Sequence, residues 1–143
     1  MRLVAFEPDH LFMFAPQQAQ AESMQWMTPD IAEAVAAYFS FTGIDESGEV
    51  VGCAGIAPAP KSDDYVAWAV FADSIGKHAL ALMKAVKRGL ELYRDRRIVA
   101  HVDPKHLKAA RFAETLNFRL EPEATVLHPS GTALHVYVRG AHG

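Results

Sequence analysis

Hydrophobic and polar positions along the chain change rhythm several times, and each change marks an element. Leu3 to Phe6 lie in a short apolar stretch that predicts a strand over residues 2 to 6, followed by a polar, Gln-rich stretch from Gln17 to Gln25 that reads as helix or loop. Thr28 has the character of a helix N-cap with Pro29 at the first helical position, and Ile31, Ala34, Val35 and Tyr38 recur at helical spacing, predicting a helix over about 29 to 38. From Phe39 the period shortens. Phe39, Phe41 and Ile44 lead to the turn Asp45-Glu46-Ser47-Gly48, and Val50 to Ile56 follows as a second apolar run, which together predict a β-hairpin. Pro58 and Pro60 mark a loop, and the nearly all-apolar Tyr65 to Phe71 predicts a central strand covered on both faces.

A clear 3.6-residue period comes next: Ile75, Ala79, Leu82, Met83, Val86, Leu90 and Tyr93 share one face, while Lys77, Lys84, Arg88 and Glu91 lie elsewhere. Ile98 to Val102 reads as a strand. Asp103-Pro104 opens a helix that turns Ala109, Phe112, Ala113 and Leu116 inward and ends at Asn117. Two last strands, about 124 to 127 and 133 to 138, form a hairpin across His128 to Thr132. The predicted order is β, α, β, β, β, α, β, α, β, β, with a βαβ unit in the second half. The expected fold class is therefore α/β (α+β), a mixed central sheet of about six to seven strands flanked by helices, in one domain over 1–143.

Composition narrows the function. The 143 residues are 50% hydrophobic and 22% charged with a formal charge of -3, which suits an ordinary folded domain and gives no general attraction to nucleic acid or anionic membrane. No run of about 18 apolar residues and no signal-peptide core occurs, so a cytoplasmic protein is expected. The single cysteine, Cys53, excludes an intramolecular disulfide and a cysteine-based zinc cluster; it reads as a buried, inert thiol. The basic residues Lys84, Lys87, Arg88, Arg94, Arg96 and Arg97 lack interleaved exposed aromatics and read as a solvated face. His101 and His106 lack a helical i, i+4 alignment and neighbouring acidic or thiol ligands, so no metal is expected.

The layout resembles the GNAT (N-acetyltransferase) superfamily over about residues 39 to 140. The features that carry it are an apolar strand entering a long helix through Phe71-Ala72-Asp73-Ser74-Ile75-Gly76-Lys77-His78-Ala79, and a later helix ending in Ala-Arg-Phe-Ala-Glu-Thr-Leu-Asn-Phe. The family has a Gln/Arg-x-x-Gly-x-Gly/Ala loop whose amides surround the pyrophosphate of acyl-CoA, as a helix N-terminus can. With Gly76 as its first glycine, Asp73 stands at the Gln/Arg position, where a carboxylate repels phosphate, and His78 stands at the last small position, where an imidazole obstructs close approach; Gly76 can equally take the second glycine. The family's Asn-x-x-Ala-x-x-x-Tyr pattern before a Gly-Phe finds His106, Ala109, Ala113 and Asn117-Phe118 here, so alanine replaces the tyrosine that serves as general acid.

The resemblance implies acetyl-CoA as cofactor, held by Val70, Phe71, Ala72, Ile75, Gly76, Lys77, His78, Ala79 and His106, and an amine acceptor that is a small molecule or a protein. Candidate catalytic residues are His101 on the fifth strand and Tyr137 on the last. Trp68 and Phe71 are read as core aromatics that could also line an acyl pocket. The short chain, abbreviated N-terminal region and divergent loop also resemble small phage-encoded GNAT-like proteins, some of them associated with virion assembly. That resemblance implies an alternative: a non-catalytic binding module with a virion or other protein partner, located in host cytoplasm or virion.

Overall fold

The computed structural model describes residues 1–17, 20, 28–60, 62–128 and 131–140. Seven strands form one sheet in the order β1-β2-β3-β4-β5-β7-β6: β1 (Arg2–Ala5), β2 (Ser40–Ile44), β3 (Val50–Pro58), β4 (Tyr65–Phe71), β5 (Ile98–Val102), β6 (Arg119–Leu127) and β7 (Ala133–Arg139). Helix α1 spans Pro29–Ala36, α2 Ala79–Leu92 and α3 Leu107–Thr115, with 3-10 segments at Pro8–Phe12 and Asp73–His78. The order of strands and α-helices is the one the periodicity predicts. Most of the Gln17 to Gln25 stretch and the tip of the last hairpin lie outside the described residues.

Neighbours pair antiparallel except β4 and β5, which are parallel because α2 carries the chain back across the sheet between them. The β2–β3 turn is built as the sequence predicts: the Asp45 carboxylate accepts from the backbone N–H groups of Ser47 (2.9 Å) and Glu49 (3.0 Å). Edge strand β6 loses register with β7 between Leu120 and Thr125, so Glu121, Pro122 and Glu123 interrupt the outer edge. Such an interruption, with charge and proline, discourages strand addition.

One face is covered by α2 and α3. Leu82 (0% exposed) and Leu90 (1%) of α2 enter the core, the first against Val51, Ala54 and Phe41, the second beside Ile56 and Ile98. Each such leucine contributes on the order of 1.5–3 kcal/mol by leaving water. Ala113 of α3 and Leu116, which caps it, join Phe118 and Tyr137 in the same layer. Asn117 closes α3 in the left-handed conformation (φ 71), which asparagine tolerates better than most residues.

The other face is covered by α1 and the first 3-10 segment, which pack Phe6, Leu11 and Ala32 against Val50, Cys53 and Val70. Thr28 caps α1 by accepting from the Ile31 N–H (3.3 Å). The helix ends at Ala36, two residues earlier than its periodicity predicts, and it buries Ala32 while Ile31 and Tyr38 are exposed. A helix this short meets the sheet along one narrow strip, and alanine allows the closest approach. Beneath it, His10 Nδ1 lies 2.7 Å from the Thr42 hydroxyl and accepts from the Glu7 N–H (3.1 Å), and Thr42 reaches Cys53 Sγ at 3.5 Å. With Nδ1 accepting, Thr42 donates to it, and the thiol is left to donate to Thr42. Burial pushes the Cys53 thiol up to about 11, consistent with an inert core group.

Candidate functional site

The site arises where a parallel pair fails. β4 and β5 pair only at Tyr65 with Ile98 and Val66 with Val99. Beyond that point Ala67 to Phe71 and Ala100 to Val102 have no ladder between them, so the middle of the sheet opens into a split. A cavity of about 430 Å³ fills it, walled mainly by apolar side chains including Phe39, Ile56, Val86, Phe112 and Leu116. Phe71 and Phe112 meet edge to face across the wall, with ring centroids 5.6 Å apart. As expected, β4 is central and covered on both faces: Trp68 and Val70 pack on the α1 side, and Tyr65, Ala67, Ala69 and Phe71 on the side of α2 and α3. Its residues other than Val70 remain half-buried, and those from Ala67 onward border the split.

Backbone polar groups freed by the split still need partners. The structure supplies them from the N-terminal segment. The carboxamide of Gln20 donates through Nε2 to the Ala69 carbonyl (2.8 Å) and accepts through Oε1 from the Phe71 N–H (3.0 Å). The Gln17 N–H donates to the Phe71 carbonyl (2.8 Å), and Pro16 forms an isolated antiparallel bridge with Ala72. Gln20 thus makes the two bonds that one residue of a parallel neighbour would make.

Of the residues expected to hold a cofactor, Val70, Phe71, Ile75, Ala79 and His106 line the cavity. Ala72 is buried (3%) and donates its N–H to the Val51 carbonyl (2.9 Å). Gly76 and Lys77 are exposed and follow directly on the cavity wall at Ile75. Gly76 has φ 38 and ψ -116, a conformation that side chains other than hydrogen rarely adopt, and a Cβ placed there would meet nothing within 4 Å. The glycine is needed for the backbone angle, and the space beside it is open. His78 differs from the expectation of an obstructing ring: its imidazole is buried, with Nε2 3.3 Å from the Glu46 carboxylate. Only its backbone is left to border the turn.

His101 lines the cavity from β5, and although the residue is exposed overall, partial desolvation of its imidazole at the cavity wall holds it below the ordinary value of 6.5. His106 precedes α3 and lines the same cavity; burial again lowers it, Asp103 opposes that shift and Lys108 adds to it. Both rings therefore favour the neutral form, which can accept a proton. Tyr137 is not part of the wall: it is 6% exposed and packs among Ile56, Val102 and Phe118, since its position on β7 points it into the layer beneath α3. Among the described residues no group of three or more His, Cys, Asp or Glu side chains converges as metal ligands do.

Trp68 lies in the cavity wall and in contact with Phe6, ring centroids 5.2 Å apart, so it serves core and cavity together. Its buried indole N–H finds no hydrogen-bond acceptor among the described residues. Sequence reasoning missed Gln20 as a cavity residue. A polar, Gln-rich stretch signals only that side-chain amides are available, and nothing in the spacing says which one reaches a strand about fifty positions away.

No family model matches the chain, and no curated protein is significantly similar to it. Solved structures do resemble it. A Bordetella pertussis protein assigned to the GnaT acetyltransferase family is 20% identical, with a TM-score of 0.68 over 98% of this chain and 100% of that one. A GNAT-family acetyltransferase from Bacillus anthracis is 16% identical, with a TM-score of 0.65 over 100% of this chain and 97% of that one. An acetyltransferase from Agrobacterium tumefaciens is 17% identical, with a TM-score of 0.67 over 96% and 88%. The chain has the GNAT fold: a mixed seven-stranded sheet flanked by helices and split between its two parallel strands.

Proposed function

We propose that this protein is an acyl-CoA-dependent N-acyltransferase acting on an amine. The observation that carries the reading is the split between β4 and β5, which opens an apolar cavity ending at the Gly76 turn. The donor set fits an acyl-CoA in three respects. The cavity, about 430 Å³, is walled mainly by apolar side chains, the β4 edge past the split carries amide-binding groups at Ala69 and Phe71 that Gln20 holds in this structure, and the open space at Gly76 leaves room for a phosphate near Lys77. Val70, Phe71, Ile75, Gly76, Lys77 and Ala79 would hold it. An acyl-CoA supplies an activated thioester carbonyl for attack by the amine.

The chain's own contribution is chiefly positioning, with an apolar wall that excludes water. His101, whose imidazole is held below its ordinary value by partial desolvation at the cavity wall, is placed to take a proton from the acceptor amine. Ala113 has no proton to give and is buried, so the departing thiol draws on no acid at that position. Acetyl-CoA is the proposed donor, and the acceptor is a small-molecule or protein amine.

A second reading has its own support. Gln20 already satisfies the edge of β4, as in a scaffold that has no need of a ligand there, and together with the absence of an acid at Ala113 this favours a non-catalytic binding module, for which a virion or other protein is the proposed partner. Melting temperature with and without acetyl-CoA separates the two. At about 100 times its Kd a ligand stabilises the native state by roughly 2.7 kcal/mol, which for a chain of this size is on the order of 8 °C. Such a shift, lost in Gly76→Arg, supports the acyltransferase. A folded sample that does not shift supports the module.

A further inference from the structure

We propose that Gln20 is a built-in competitor for the cofactor, occupying the polar groups at the edge of β4 to which the amides of an acyl-CoA arm would bind. The proposal rests on the acyltransferase reading and concerns how that site is opened.

The case begins with the geometry of the split. A strand edge left open inside a cavity has N–H and C=O groups that require partners, and two such groups, the Ala69 carbonyl and the Phe71 N–H, face the cavity side of β4. Gln20 binds both at once, at 2.8 and 3.0 Å, through the two ends of a single carboxamide. A primary amide is chemically the nearest side-chain equivalent of the amides in an extended CoA arm. Gln20 itself lines the cavity, as does Gln17, whose backbone N–H takes the Phe71 carbonyl (2.8 Å). The bonds span 49 and 51 positions in sequence, so their formation is a tertiary event and not local helix capping.

A ligand arm and the Gln20 carboxamide cannot both bond to Ala69 and Phe71. Binding therefore includes breaking two hydrogen bonds, each contributing a factor of roughly two to ten to the occupied state. Removing the carboxamide removes this competition and leaves the ligand's own contacts unchanged.

The test is isothermal titration of CoA into the full chain and into Gln20→Ala, together with amide hydrogen exchange at Phe71 by NMR on both. The expected result is an affinity gain of between about five- and a hundredfold in Gln20→Ala, with faster exchange at Phe71 in the variant without ligand. Gln20→Glu, which can accept from Phe71 but cannot donate to Ala69, should fall between the two. Equal affinity, or weaker binding by Gln20→Ala, overturns the competitor role while the cofactor reading stands. No binding to either protein overturns both. A folded variant with unchanged Phe71 exchange overturns the contact itself.

Discussion

Gly89 on α2 sets two energetic effects of opposite sign against each other. Replacing a glycine inside a helix by alanine ordinarily stabilises it by about 0.8–1.0 kcal/mol, because the unfolded chain loses conformational freedom. Here the added Cβ would lie 2.4 Å from Phe39 Cε1 and 2.6 Å from Cζ, far inside the 3.5–4.0 Å at which carbons rest against one another. Phe39 is flanked by Phe41 (centroids 6.0 Å apart) and Tyr93 (6.2 Å), so its ring yields only toward the cavity it lines, at the expense of those two edge contacts. Overpacking of this kind costs about 1–3 kcal/mol. The clash should outweigh the helix gain, leaving Gly89→Ala destabilised by about 1 kcal/mol, or about 3 °C in melting temperature. Urea unfolding followed by circular dichroism measures it. The decisive comparison is with Phe39→Leu, which removes Cε1 and Cζ and retains a branched apolar side chain. In that background Gly89→Ala should turn stabilising, giving a coupling of about 1–3 kcal/mol between the two positions. A stabilised single variant, or additive effects in the double variant, would refute the packing argument. Phe39 also lines the cavity, so the same displacement should weaken CoA binding.

Two further outcomes are expected. Partial desolvation holds His101 below its ordinary value of 6.5, so as the pH falls below that value the unfolded chain takes up the proton first and stability declines with acid. Urea midpoints at about pH 7.5 and 5.5 should therefore fall less in His101→Gln than in the parent; equal falls would mean that the ring is as well solvated folded as unfolded. Cys53, pushed up to about 11, should be about one part in a thousand thiolate at pH 8, so a thiol reagent should label it at the rate of opening, and fast stoichiometric labelling of the native protein would place it at the surface.

Much of the fold was legible because each element carries its own local signal. The period of Leu82, Val86 and Leu90 specifies a helix, and its partners on the sheet need not be known. Thr28-Pro29 and Asn117 mark helix ends through capping chemistry, and Asp45 to Gly48 marks a turn through side-chain bonds to its own backbone. Where a surface is shared, local signals fail. Periodicity misplaces Ile31 on the buried strip of α1 because the residue is apolar whether or not the sheet reaches it, and strand position offers Tyr137 as a catalytic candidate because it does not say which layer lies above. His78 was expected to obstruct the turn at Gly76, yet Glu46, which holds its ring elsewhere, is thirty-two positions away.

The sequence by itself determined the order of strands and helices, the glycine at position 76, and the absence of a proton donor at Ala113, since these depend on residue type and short-range spacing. Tertiary structure alone decided that β4 and β5 part after Val66 and Val99, that a cavity opens between them, and that Gln20 closes the freed edge. The reason is physical. A parallel ladder ends where the twist of the sheet and the helices packed on it draw two strands apart, and the resulting unpaired groups take partners by proximity in space, whatever their separation along the chain.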